Sequence, residues 1–95
     1  MKIIQGDLVL AEDTIIKEDL KVIGSIKGYF NLKVIGNIDC WNINCWNIDC
    51  GNINCRDIIY CEEIKVKEGC KVIAKVLIKN RDKLEKIEQT FQEKK

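Results

Sequence analysis

From Asn37 to Ile58 the chain repeats a five-residue unit, Asn-Ile-(Asp/Asn)-Cys-x. Isoleucine falls at 38, 43, 48, 53 and 58, and cysteine at 40, 45, 50 and 55 before slipping to Cys61. A period of five fits neither a helix nor a long strand. Within each unit Ile and Cys lie two residues apart, so a short extended piece puts both on one face and the Asp or Asn between them on the other. Two residues remain to turn a corner. Asparagine suits that place, because it tolerates left-handed backbone and bonds to its own backbone. The pattern predicts a chain coiling around an axis, with Ile and Cys inside and polar groups outside.

The flanks keep another rhythm. Leu20-Lys21-Val22-Ile23-Gly24-Ser25-Ile26 returns twelve residues later as Leu32-Lys33-Val34-Ile35-Gly36-Asn37-Ile38. Over 64–78, Ile64, Val66, Cys70, Val72, Ala74, Val76 and Ile78 share one parity, and Lys65, Lys67, Lys71 and Lys75 the other. Both read as strands with one buried face.

Ile38-Asp39-Cys40 and its successors resemble the pentapeptide-repeat proteins, whose unit forms one side of a right-handed, four-sided β-helix. That family places the small residue before the large one, and this chain reverses the order. The Leu-x-Val-x-Gly-x-Ile phrase is similar to bactofilins, polymerising β-helical cytoskeletal proteins. The resemblance implies a mainly β fold, a right-handed β-helix or β-solenoid, and the residues of the tail add a C-terminal amphipathic capping helix. With four five-residue sides, 37–61 would make little more than one circuit. One circuit cannot bury its own core, so the flanks must stack on it, giving roughly three to four coils. The expected organisation is a solenoid over 1–79, made of irregular coils 1–36, the repeat block 37–61 and strand coils 62–79. A helix follows over 80–95. Asn80 serves as its N-cap with Asp82 in the first turn. Leu84, Ile87 and Phe91 form its apolar stripe, which either caps the solenoid or pairs with a second copy, giving a homo-oligomer. Ile73 and Leu77, which interrupt the outward lysine row, are its expected landing site.

At 95 residues this is one small domain. The net charge of +1 gives no global field favouring nucleic acid. A DNA-mimic, known among pentapeptide-repeat proteins, needs a strongly acidic surface that the composition lacks. The chain opens without an apolar leader and contains no run of about 18 apolar residues, so a cytoplasmic, membrane-free location is expected. Six cysteines there are reduced thiols. Histidine is absent, which removes the usual neutral-pH proton shuttle and the imidazole ligand. Cysteine spacings of 5, 5, 5, 6 and 9 lack the close pairs of a zinc site. Cysteine therefore reads as slim core filler, and no metal or other cofactor is expected. Cysteines on different sides of one coil are too far apart for disulfides. No phosphate loop or nucleophile motif is present, so no catalytic residue is assigned and no enzyme is expected.

The fifth position of the unit faces outward and varies: Trp41, Trp46, Gly51, Arg56. Two tryptophans one repeat apart make a partner-binding patch if exposed, and a covered core edge if the flanks fold over them. Trp41, Trp46 and Arg56 are the candidate partner-binding residues. The lysine rows suit edge protection better than phosphate contact. The expected function is a non-catalytic protein-binding module. Similarity to short repeat proteins of phages and mobile elements implies an inhibitor of a host or defence protein. Two alternatives stand beside it: a self-assembling, bactofilin-like structural protein, and a small-ligand or nucleotide binder with an inter-subunit pocket.

Overall fold

The computed structural model describes residues 1–79 and the backbone of 85–92. It is a small parallel β-solenoid whose strands fall into three columns, one for each side of a triangular coil. The first side stacks β1 (Lys2–Gln5), β4 (Leu20–Ile23), β6 (Ile38–Cys40), β8 (Ile53–Cys55) and the start of β11 (Lys71–Lys79). The second stacks β2 (Leu8–Val9), the first half of β5 (Ser25–Val34), the first half of β7 (Asn42–Cys50), β9 (Ile58–Cys61) and the end of β11. The third stacks β3 (Thr14–Ile16), the second halves of β5 and β7, and β10 (Glu63–Val66). This makes about four turns. The expectation of four sides is corrected to three: Ile38 stacks directly on Ile53, so three five-residue units close one circuit.

The inward residues form continuous columns of like on like. Leu20, Ile38, Ile53 and Val72 stack on the first side, with Val22, Cys40, Cys55 and Ala74 beside them; each is 5 % exposed or less. On the second side Ile26, Ile43, Ile59 and Leu77 stack, and on the third Leu32, Ile48 and Ile64. Burying an Ile or Leu contributes about 1.5–3 kcal/mol, so these columns dominate stability. The described residues contain no buried polar or charged side chain.

Each corner carries a polar ladder that satisfies backbone groups between coils. At the corner leading into the first side, Asp19 accepts the N–H of Asn37, Asn37 that of Asn52, and Asn52 that of Lys71, at 2.8–2.9 Å. At the next corner Asp7 accepts the N–H of Ser25, and Asn42 bonds the Ser25 hydroxyl and accepts the N–H of Ile58. At the third, Asp13 accepts the N–H of Asn31, whose side-chain oxygen takes the Asn47 amide. Glycine is required at the Leu10 corner of the second side: Gly28 has φ +126°, and a Cβ there would lie 2.5 Å from the Leu10 carbonyl oxygen.

Two further expectations are corrected. Residues 64–78 do not keep one parity, because the chain turns a corner after Ala74. Lys75 and Val76 both donate to the Asp57 carbonyl there, and Leu77 turns inward, 6 % exposed, rather than serving as a helix landing site. No helix occurs among the described residues. Residues 85–92 form a strand, β12, antiparallel to β11, with Ile87 opposite Leu77 and Phe91 opposite Val72. Leu84 lies outside the described residues. The spacing of Ile87 and Phe91 fits a strand as well as a helix turn, and the open edge of β11 supplies the pairing that a lone helix lacks.

Candidate functional site

The corners separate the residues that face solvent into distinct surfaces. Trp41 marks the corner between the first and second sides, and Trp46 the corner between the second and third. Both remain about 40 % exposed. The structure therefore separates the two tryptophans by one whole side, about 16 Å of extended chain.

Each tryptophan is held by a neighbour from an adjacent coil. The Arg56 guanidinium sits 5.3 Å from the Trp41 ring centroid, a cation–π distance. Tyr29 meets Trp46 edge to face at 6.5 Å. The backbone fixes the first contact, since Trp41 accepts the Asp57 N–H while donating its own to Gly24. Arg56 and Trp41, both expected to bind a partner, are thus brought together. Trp46 joins a residue that the repeat did not reveal. Tyr29 and Phe30 share the Trp46 corner one coil earlier, where two residues of β5 oppose one of β7. Tyr60 stands mid-side, in register with Asn44. Five of the six aromatic residues thus lie on the second side or its two bordering corners. The missed signal was the stacking interval: Tyr29 and Phe30 precede Trp46 by about one coil.

The third side is different in kind. A shallow groove of about 360 Å³ crosses it, lined by Lys33, Asp49, Glu63 and Lys65 among others. Its charges alternate in sign, so it concentrates no field for an anion or a cation. It lies on one chain's own face and shares no residue with the Trp41–Arg56 contact.

The inward cysteines pack as apolar groups. Five are buried and Cys70 is half-buried, and all six are free thiols. Cys40 and Cys55 stack in register on adjacent coils. Cys55 donates to the Trp41 carbonyl. The hydrogen bond with Cys55, together with burial, pushes the Cys40 thiol well above its ordinary range. Burial pushes Cys50 up to about 12, helped by Asp49. Cys40 and Cys50, held protonated, are poor nucleophiles and poor ligands, whereas the hydrogen bond with Cys40 lowers the Cys55 thiol. Among the described residues no three Cys, Asp or Glu side chains gather as a metal site would need, and no helix is long and apolar enough to cross a membrane.

The fold and this surface define a class, the small parallel β-solenoid with an aromatic side. Comparison with protein-family models, with curated proteins and with solved structures finds no match to this chain. The pentapeptide-repeat and bactofilin resemblances therefore gain no support as family names.

Proposed function

We propose that this solenoid is a non-catalytic protein-binding module that presents its second side to a partner. The observation that supports this reading is the segregation of aromatic residues: Tyr29, Phe30, Trp41, Trp46 and Tyr60 border or occupy one side, while the other two carry mainly lysine, acid and amide groups. Half-exposed, rigidly backed aromatics are the usual energetic anchors of protein interfaces. Arg56, already stacked on Trp41, keeps N–H donors for a carboxylate. The partner's matching surface is an apolar side chain next to an acidic one. Its stronger form, inhibition of a host or defence protein, rests on the resemblance to phage and mobile-element proteins.

Both tryptophans of the chain lie at this surface, so intrinsic fluorescence reports on it directly. Protein captured by the wild type from a host lysate is titrated back while tryptophan emission is followed. Trp41→Ala/Trp46→Ala and Arg56→Ala should each lose at least about tenfold in affinity, and Lys33→Ala/Lys65→Ala on the third side should not. Unchanged capture and affinity in the tryptophan double variant would sink the reading.

A further inference from the structure

The two ends of the solenoid are treated differently. At the C-terminal end, β12 pairs with β11 and covers the sheet edge on the first and second sides. At the N-terminal end β1, β2 and β3 each pair on one flank only among the described residues, with β4 and β5, so three strand edges stand open at one level there.

Open edges are normally blunted by charge, lysine above all. Here the protection is displaced by one coil. The outward position of every side is apolar in the first coil, as Ile3, Val9 and Ile15, which are 55 %, 66 % and 62 % exposed. Directly behind them, in register, stand Lys21, Lys27 and Lys33. The inward residues of the first coil are also unfinished. Ile4, Leu8 and Thr14 are half-buried, whereas Val22, Ile26 and Leu32 behind them are at most 1 % exposed; Leu10 and Ile16, the other inward residues of that coil, are buried. An end with open hydrogen-bonding edges, apolar outward positions and a half-covered core lacks one more layer.

We propose that this layer is the first coil of a second copy, docked N-terminal end to N-terminal end about a two-fold axis. The surface to be matched is a triangle of three strand edges, and the same triangle on another copy has its outline. Rotation about an axis across the coil reverses chain direction, so the paired strands run antiparallel.

Charge selects among the three axes such a triangle allows. An axis through the Gly6 corner brings β3 onto its own copy, with Ile15 against the partner's Ile15, and β1 onto the partner's β2. It also places Glu12 against the partner's Lys17, twice by symmetry. Glu12, Lys17 and Lys2 are exposed and belong to no ion pair among the described residues. The axis through the Asp19 corner would set Asp7 against Glu12 and is disfavoured, and the axis through the Glu12 corner would set Lys17 against Asp7, which is already paired with Lys27. Because β12 occupies two sides of the other end, the head-to-tail stacking that gives filaments is blocked, and the assembly closes at two copies. The triangle is only about 20 Å on an edge, so the contact is small and dimerisation belongs at micromolar concentrations or above.

Sedimentation velocity over about 1–300 μM tests this. A reversible monomer–dimer equilibrium is expected, with no larger species. Ile15→Lys sets two lysines together at the axis and should raise the dissociation constant about a hundredfold. It should leave thermal unfolding of the monomer unchanged, since lysine already holds the equivalent place in the second coil. Glu12→Lys and Lys17→Glu should each weaken the dimer about tenfold, and the double variant should restore it to within about threefold. A monomer throughout, growing polymers, a dimer indifferent to Ile15→Lys, or a charge swap without rescue would each overturn the proposal.

Discussion

The second coil (19–36) and the third (37–51) enclose the same axis with different means. The second spends eighteen residues on a circuit, since Leu20 stacks on Ile38, and lines it with Leu, Val, Ile and Gly. The third spends fifteen, since Ile38 stacks on Ile53, and lines it with isoleucine and cysteine alone. The missing residues come from the corners. Between Gly28/Asn31 and Cys45/Asn47, for example, Tyr29 and Phe30 face the single Trp46. A side therefore keeps its short strand and inward pair, and length is adjusted where the chain turns. A shorter perimeter encloses less volume, and on the first and third sides the slimmer cysteine replaces valine as the second inward residue, while on the second side Cys45 stands in register with Gly28. Corner chemistry shifts as well, from the carboxylates Asp7, Asp13 and Asp19 to the amides Asn37, Asn42 and Asn52.

The largest effect comes from length. One asparagine inserted between Ile43 and Asn44 inverts inside and outside for the rest of that side, and urea unfolding should lose its cooperative transition. The same residue inserted beside Trp46 only restores a six-residue side and should cost less than about 1 kcal/mol. If the two insertions behave alike, corners are not the adjustable element.

Core volume gives a smaller contrast. Val34 and Cys50 occupy successive coils of one column, each at most 2 % exposed. Cys50→Leu should destabilise by about 1–3 kcal/mol through overpacking, and Val34→Leu by clearly less. Equal shifts in the urea midpoint would mean that the third coil is no tighter than the second.

The smallest contrast is in pH. The Ser25 N–H and then Lys27 hold the Asp7 carboxyl below its usual value of 3.8. A depressed carboxyl contributes stability that is present above its unfolded value and is lost as pH falls through the folded one. Below about pH 3.8 amide exchange should therefore accelerate first in the first two coils, since the asparagine corners do not titrate. Cys50 carries the opposite sign. Its stabilisation is complete below the free-thiol value of 9.0 and disappears as pH rises towards about 12. Cys50→Ala should flatten that alkaline loss, as followed by circular dichroism.

Much of this was legible in the repeat. The inward Ile and Cys, the outward Asp or Asn and the corner asparagine all follow from a period of five, because extended chain alternates faces and asparagine turns it. An equally plain signal was missed: Asp7, Asp13, Asp19, Ser25, Asn31 and Asn37 recur every six residues, the corner series of the first two coils. That series would have joined the irregular coils to the pentads and pointed to the aromatic side. Candidate site residues were half legible. Trp41 and Arg56 share a corner because they are fifteen residues apart, one third-coil circuit, whereas Trp46 stands with Tyr29.

What the sequence by itself determined is local: which residues face in, where the chain turns, and that coils must stack to bury a core. Those are properties of a few adjacent residues and their period. The tertiary structure decided how many sides close a circuit, because a five-residue side fits three corners or four, and only the in-register stacking of Ile38 on Ile53 separates them. It decided that Leu77 turns inward after a corner and that 85–92 pair as a strand with β11. It also decided which end of the stack is left open. Each of these is settled by partners many residues away, whose hydrogen bonds and buried area outweigh local propensity.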